Sequence, residues 1–232
     1  MSPPPIAFSH LNGKVAIVTG ASEAMGRATA LCLASHGAFI SLVFSSESSS
    51  LEADGLATEI NSSSSSSSSA SIPRAITIRA DISDPDAVRA IFDLTEQNFK
   101  SRAHIVFHSA GIIDPNYYSV SSTPLAVFDS INPRKSFLML QEAANRVVVS
   151  GEGRIILLHS WLVENQLDNW LYAASMNSIQ AMIKALASEL QEKRIRVNCI
   201  STGPEKTGCI GFFVAYLSSA VGQWINGQIL QP

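Results

Sequence analysis

Cysteine is scarce in this 232-residue sequence: Cys32, Cys199 and Cys209 form no C-x-x-C pair and are odd in number. That excludes a disulfide-stapled secreted scaffold and points to a compartment that keeps thiols reduced. Charge of one sign is lacking too. Sixteen basic and nineteen acidic residues leave a net charge of −3 with no run of like charges, so neither nucleic acid nor a membrane surface is expected as a partner. No apolar run reaches the roughly 18 residues that a membrane-spanning helix needs. Internal repeats are absent, and the length leaves no room for a second full domain beside one α/β core. The stretch from Met1 to His10 is rich in proline, with neither an apolar core segment nor the Arg-rich amphipathic character of a transit peptide, so the expected location is the cytoplasm. No metal site is read from the sequence.

What the chain does contain is a regular alternation. Lys14–Thr19 is a β-branched run that ends at Gly20, followed by a helical pattern up to Gly37. Strands are expected at 39–44, 75–79, 105–108, 154–158, 196–200 and 228–230, and helices at 51–60, 84–99, 125–149, 170–192 and 211–218. Ser83 or Asp84 is the expected cap of the third helix. Strand and helix in alternation over the whole length predict one α/β domain over 1–232, a Rossmann-like doubly wound parallel sheet covered on both faces. Residues 1–12 are expected to be a flexible N-terminus. The serine run inside 61–72 has too little apolar surface to offset its ordering entropy and is expected to be a disordered loop.

Thr19-Gly20-Ala21-Ser22-Glu23-Ala24-Met25-Gly26-Arg27-Ala28 follows a predicted strand and opens a helix, the context in which backbone N–H groups cradle a pyrophosphate. This turn resembles the T-G-x-x-x-G-x-G motif of the short-chain dehydrogenase/reductase family. The middle glycine is Ala24 here. A methyl at a position of close approach, with a demand for positive φ, is expected to cost on the order of 1 kcal/mol and to weaken binding. Other stretches extend the resemblance over nearly the whole chain. Asp81-Ile82 matches the family's adenine-contacting pair, and His108-Ser109-Ala110-Gly111 is similar to its N-N-A-G turn with histidine first. Asn132 falls where the family keeps an asparagine that orders a proton-relay water, and Gly203 lies in the Ser201-Thr202-Gly203-Pro204 turn. The wording at 114–116, 153–158 and 224–228 is most like plant NADPH-dependent aldehyde reductase-like members.

The resemblance implies a nicotinamide cofactor held by Thr19, Gly20, Ser22, Gly26 and Arg27, by Ser45 after the second strand, and by Asp81, Ile82, His108, Ala110, Gly111 and Gly203. No acidic residue closes the second strand, where Phe44-Ser45-Ser46 stands; this favours NADP, with NAD the alternative. Glu23 opposes a 2′-phosphate, and Arg27 is the candidate compensating cation.

Ser160 and Tyr172 are spaced as the family's catalytic serine and tyrosine. In that chemistry tyrosine exchanges a proton with the substrate oxygen, serine steadies that oxygen, and hydride moves to or from the nicotinamide. The family motif is Y-x-x-x-K, whereas this chain reads Tyr172-Ala173-Ala174-Ser175-Met176. An unassisted phenol is ionised only about one part in a thousand at pH 7, so loss of the lysine charge damages oxidation more than reduction. Lys184 is roughly 12 Å further along the helix axis, too far to substitute. Lys135 lies on another helix. His108 and His159, at the carboxyl ends of predicted strands, are candidate bases, against the plainer reading of hydrogen-bonded histidines under a loop. Trp161 and Trp170 are candidate pocket walls or core packing. The family's helical substrate lid is missing, because 205–209 runs almost directly into the helix of 211–218.

Three readings follow. The first is a carbonyl reductase, impaired by the lost lysine, acting on a small aldehyde or ketone or the corresponding alcohol. The second is a non-redox cyclase or isomerase on the same scaffold; the third is a catalytically silent binding partner of intact homologues. A homodimer or homotetramer through the helices near 125–149 and 170–192 is expected, with the stripe Met176, Ile179, Ile183, Leu186 and Leu190 in the core or in that interface.

Overall fold

A computed structural model describes residues 11–63, 72–109, 118–130, 132–160, 170–202 and 207–231. Seven strands, β1 (Val15–Thr19), β2 (Phe39–Phe44), β3 (Ala75–Arg79), β4 (Ile105–His108), β5 (Arg154–Ser160), β6 (Arg196–Thr202) and β7 (Ile229–Leu230), form one sheet in the order β3-β2-β1-β4-β5-β6-β7. Every pairing is parallel. All five residues of β1 are buried, as expected of a central strand with helices over both faces.

The helices are α1 (Ala24–Ser35), α2 (Ser50–Ser62), α3 (Pro85–Phe99), α4 (Leu125–Ser130), α5 (Asn132–Arg146), α6 (Trp170–Glu189) and α7 (Thr207–Ser218), with a 3-10 turn at Glu47–Ser49 before α2. Six of them divide three and three over the two faces. Ala30 and Leu33 of α1, Leu56 of α2 and Val214 of α7 pack with Val18, Leu42 and Phe107 on one face. Phe92 of α3, Met139 of α5 and Ile183 of α6 pack with Ile17, Val43 and Val106 on the other. The period of two along each strand sends alternate side chains into the two cores. This is the doubly wound single domain expected from the alternation.

Several boundaries differ from expectation. The single helix expected over 125–149 is two, α4 and α5, with Pro133 at the start of the second. Proline has no N–H for the carbonyl four residues back and clashes with it, so one helix cannot run through that position. β5 and β6 extend to Ser160 and Thr202 because His159 pairs with Ser201 and Ser160 with Thr202. α7 begins at Thr207, before the expected 211, and four residues, 203–206, separate it from β6. Most of 1–12 and 61–72 lies outside the described residues. Within them, Leu11 is buried in the core, and Asn61 belongs to α2, where its side-chain oxygen accepts from the N–H groups of Arg74 and Ala75. Asp84 is the cap of α3: its side chain accepts from the Asp86 N–H, and Pro85 occupies the first turn.

Two helical glycines allow opposite expectations. A Cβ at Gly211 would lie 2.8 Å from the Ala28 carbonyl oxygen and 2.8 Å from the Cys32 Cβ, so α7 rests against α1 through a bare backbone. Gly55 in α2 has nothing within 4 Å of its Cβ position. Gly211→Ala should therefore lower stability by about 1–3 kcal/mol through overpacking. Gly55→Ala should raise it by about 0.5–1 kcal/mol, since alanine loses less backbone freedom on folding. Urea denaturation midpoints moving the same way in both variants would contradict this packing.

Candidate active site

The strand order reverses between β1 and β4, which are neighbours whose chains then lead to opposite edges of the sheet. In open parallel sheets that switch point leaves a crevice beyond the carboxyl ends of the strands. Gly20, at φ +66°, turns the chain out of β1. The Ala21 N–H donates to the Val43 carbonyl at 3.1 Å and the Glu23 N–H to the Gly20 carbonyl at 3.0 Å, so α1 begins directly over the end of β1. Gly26 makes this possible: a Cβ there would meet the Gly20 carbonyl oxygen at 2.1 Å. Glu23 occupies the cap position with extended backbone, its side chain makes no capping hydrogen bond, and no acidic residue stands in the first turn. The first N–H groups of a helix have no partner within it, and here they face the crevice end of the sheet, where an anion is stabilised.

Ala24 is the first residue of α1, exposed, and is not among the residues at positive φ. The expected backbone strain is therefore absent. What Ala24 adds is an exposed methyl group at the amino end of α1. Partial burial raises the Glu23 carboxyl above its ordinary range.

At the switch point itself Thr19 pairs with His108 in register. The His108 imidazole is buried, with Nδ1 2.9 Å from the Thr19 hydroxyl and Nε2 3.2 Å from the Ser136 hydroxyl on α5. It ties β1, β4 and α5 together under the crevice. Burial without a charged partner pulls it down to about 4, so it is neutral at physiological pH and has no readiness to take a proton. The Thr19 hydroxyl also accepts the Ser109 N–H at 3.2 Å. The Ser109 hydroxyl, in contrast, is buried with no partner among the described residues, an orphan beside the crevice. Ser136 was not legible as a site residue, since only the fold brings it 28 positions back onto His108.

Beyond the end of β2, Ser45 is exposed and Ser46 bonds through its hydroxyl to Ser48 and Ser49. No carboxylate closes β2. Ser22 is half-buried and Ile82 buried. Asp81 accepts from the Ser83 N–H and hydroxyl, which with a contribution from Lys135 hold its carboxyl below the usual range. Arg27, expected to offset Glu23, is paired at 2.6 Å with Glu59 on α2. A second cation escaped the sequence reading: Arg79, in register with Phe44 at the end of β2, forms an ion pair with Glu47.

Asn132 is the first residue of α5, Ser160 the last of β5, and Tyr172 lies half-buried in the first turn of α6, packed against the core. The amino end of α6 is tied down by the Trp170 indole N–H, which donates to the Tyr118 carbonyl at 3.1 Å. Met176, where the resemblance calls for lysine, is 3% exposed and packs within the core with Ile179. The whole stripe is core: Ile179, Ile183 and Leu190 are buried in the same cluster and Leu186 packs against it. His159 is also buried, with Nδ1 3.3 Å from the Ser201 hydroxyl and Nε2 3.0 Å from the Gln180 amide nitrogen. It joins β5, β6 and α6, the plainer of its two readings. Ala110, Gly111, Trp161 and Gly203 lie outside the described residues. Those residues contain no cluster of three metal-ligating side chains and no helix long and apolar enough to cross a membrane.

Comparison with known proteins accords with this geometry. A family model described as enoyl-(acyl carrier protein) reductase matches residues 20–215. NADPH-dependent aldehyde reductase 2, chloroplastic, of Arabidopsis thaliana is 39% identical over 263 residues, spanning 99% of this chain and 95% of that protein. NADPH-dependent aldehyde reductase-like protein, chloroplastic, of the same plant is 36% identical over 262 residues, with 99% and 95% covered. Among solved structures, a short-chain dehydrogenase from Burkholderia cenocepacia in complex with NADP superposes with a TM-score of 0.81 at 27% identity, over 95% of this chain and 96% of that one. The two plant relatives are chloroplastic by name, and this overturns the cytoplasmic location expected from the sequence. Unpaired cysteines do not separate one reducing compartment from another.

His108 gives the site a pH signature. Its folded value near 4 lies below the ordinary 6.5, so between those values the unfolded chain takes up a proton that the folded chain refuses. The contribution is complete in neutral solution and is lost as pH falls, by about 2 kcal/mol on going from pH 7 to 5. His108→Asn should flatten that part of the stability profile. Equal pH 7 to pH 5 shifts of the denaturation midpoint in both proteins would contradict it.

Proposed function

Because this chain belongs to the short-chain dehydrogenase/reductase family, we propose that it is a slow carbonyl reductase that uses NADPH on a small aldehyde or ketone. The observation that carries this reading is the open amino end of α1 over the end of β1, flanked by the orphan Ser109 hydroxyl. Bound there, the cofactor would supply hydride. Thr19, Gly20, Ser22 and Gly26 shape the phosphate turn, and Ser45, Asp81 and Ile82 line the adenosine side. His108 acts as a positioning group at the end of β4, and Ala110, Gly111 and Gly203 complete the set. The absence of a carboxylate after β2 and the names of the plant relatives favour NADPH over NADH. Tyr172 donates the proton to the carbonyl oxygen, Ser160 steadies that oxygen, and Asn132 orders the relay water.

Two features support slowness. Met176 brings no charge to Tyr172, and the 203–206 connection leaves no length for a lid that would exclude water. A second reading, a silent nucleotide-binding protein, draws on Met176, whose burial in the core leaves hydrophobic packing where the family keeps an ammonium. The non-redox reading gains nothing from His108, which is neutral and held at both ring nitrogens. Leu125, Phe128 and Phe137 are 74%, 47% and 50% exposed on α4 and α5, which supports self-association through that surface. The stripe on α6 is spent inside the chain.

Fluorescence titration should show NADPH binding more tightly than NADH. Tyr172→Phe should lower carbonyl reduction by at least ~100-fold, and Met176→Lys should raise it. Tight NADPH binding with no turnover even in Met176→Lys would establish the silent reading instead. In sedimentation, Phe137→Glu should yield monomers from a dimer or tetramer; an unchanged mass would remove α4 and α5 from the interface.

A further inference from the structure

We propose that the amino end of the sheet carries a second anion site, built for a phosphorylated small molecule and separate from the nucleotide crevice. A cleft of about 790 Å³ opens there, bounded by the starts of β1, β4, β5 and β6 and by the segment that follows α7. Its volume falls in the range of small-molecule sites. β5 begins at Arg154 in this cleft and ends at Ser160 beside the crevice, so the two sites stand on the order of 20 Å apart along the strands.

The cleft concentrates positive charge in a chain whose net charge is −3. Lys14, Arg154, Arg194 and Arg196 line it, with Glu152 the carboxylate among its lining residues. Glu152 pairs with Lys14 at 2.5 Å. None of the three guanidinium groups forms an ion pair among the described residues, although the Glu152 charge is felt by Arg154.

Arg154 is the anchor. It is 3% exposed, with Nε donating to the Leu217 carbonyl at 3.0 Å and Nη1 to the Gly151 and Gly153 carbonyls, each at 2.9 Å. Those bonds fix the plane of the fork and leave Nη2 without a protein partner among the described residues. A buried cation satisfied only by carbonyl dipoles is costly. Desolvation, and then the neighbouring Arg196 charge, loosen the hold of Arg154 on its proton. Arg196 is itself positioned by its Nε, which donates to the Gln223 carbonyl at 2.7 Å. Arg194, at φ +56°, projects from a left-handed turn with its side chain over Gly151. The Ser218 hydroxyl, buried and without a partner among the described residues, belongs to a residue lining the same cleft. Guanidinium forks held in fixed planes match the oxygens of a phosphate group two at a time. An anion of two or more charges would relieve the mutual repulsion of the arginines and give Ser218 an acceptor.

Inorganic pyrophosphate is the probe, titrated calorimetrically into the full chain at constant ionic strength set with chloride. Arg194→Gln combined with Arg196→Gln should weaken binding at least tenfold, and the lysine pair at the same positions should recover only part of it, because charge returns without the fork. Ala24→Glu, which puts a carboxylate at the amino end of α1, should leave this affinity unchanged. Pyrophosphate binding that survives the arginine substitutions and is lost in Ala24→Glu would assign the anion to the crevice and overturn the proposal. Absence of binding to the unaltered chain would overturn it as well. Should the double variant unfold early, Arg194→Gln alone carries the test, since that side chain is exposed and outside the core.

Discussion

α1 can start directly above the end of β1 because position 26 has no side chain. The carbonyl oxygen of Gly20 occupies the space where a Cβ would be, and Gly20 itself must turn at positive φ to send the chain into that contact. Helix and strand would otherwise have to separate, and the open N–H groups of α1 would move away from the switch point between β1 and β4. Every functional statement about the crevice depends on this one contact. It also explains which of the three motif glycines survive. Gly20 and Gly26 are required by the fold whether or not anything binds, whereas the middle position serves only approach to a ligand, and there the chain has alanine in ordinary helical geometry.

The same separation between scaffold and chemistry runs through the site. Thr19, His108 and Ser136 make a tie across the switch point, and His159 with Ser201 and Gln180 makes a comparable tie between β5, β6 and α6. Both imidazoles are held in place by neighbours, which suits them to rigidity. Tyr172 stands on the first turn of α6, and one turn on the chain has a hydrophobic side chain. Met176 contributes to the packing of α6 against the sheet.

Charge is divided between the two ends of the sheet. At the carboxyl end, cations are present but largely spoken for: Arg27 by Glu59 and Arg79 by Glu47, with Lys135 acting on Asp81. A nucleotide entering there would be met mainly by backbone N–H groups and hydroxyls. At the amino end the arginines outnumber the carboxylates that face them. The two ends therefore differ in how they can hold an anion, one by dipoles and the other by full charges.

Periodicity and punctuation in the sequence determined the α/β class, the order of strands and helices and the position of the phosphate turn, because these follow from local patterns of burial and from residues with restricted backbone choices. The Ser160 and Tyr172 positions and the missing lysine were legible for the same reason, as spacing along one strand and one helix. Tertiary structure alone decided that His108 is a buried, neutral tie, since Thr19 and Ser136 reach it from 89 and 28 positions away. It alone put the α6 stripe inside the chain rather than in an interface, and alone gathered Lys14, Arg154, Arg194 and Arg196 at the amino end of the sheet. A parallel sheet brings the starts of distant strands side by side, and no local pattern records which of those starts will be neighbours.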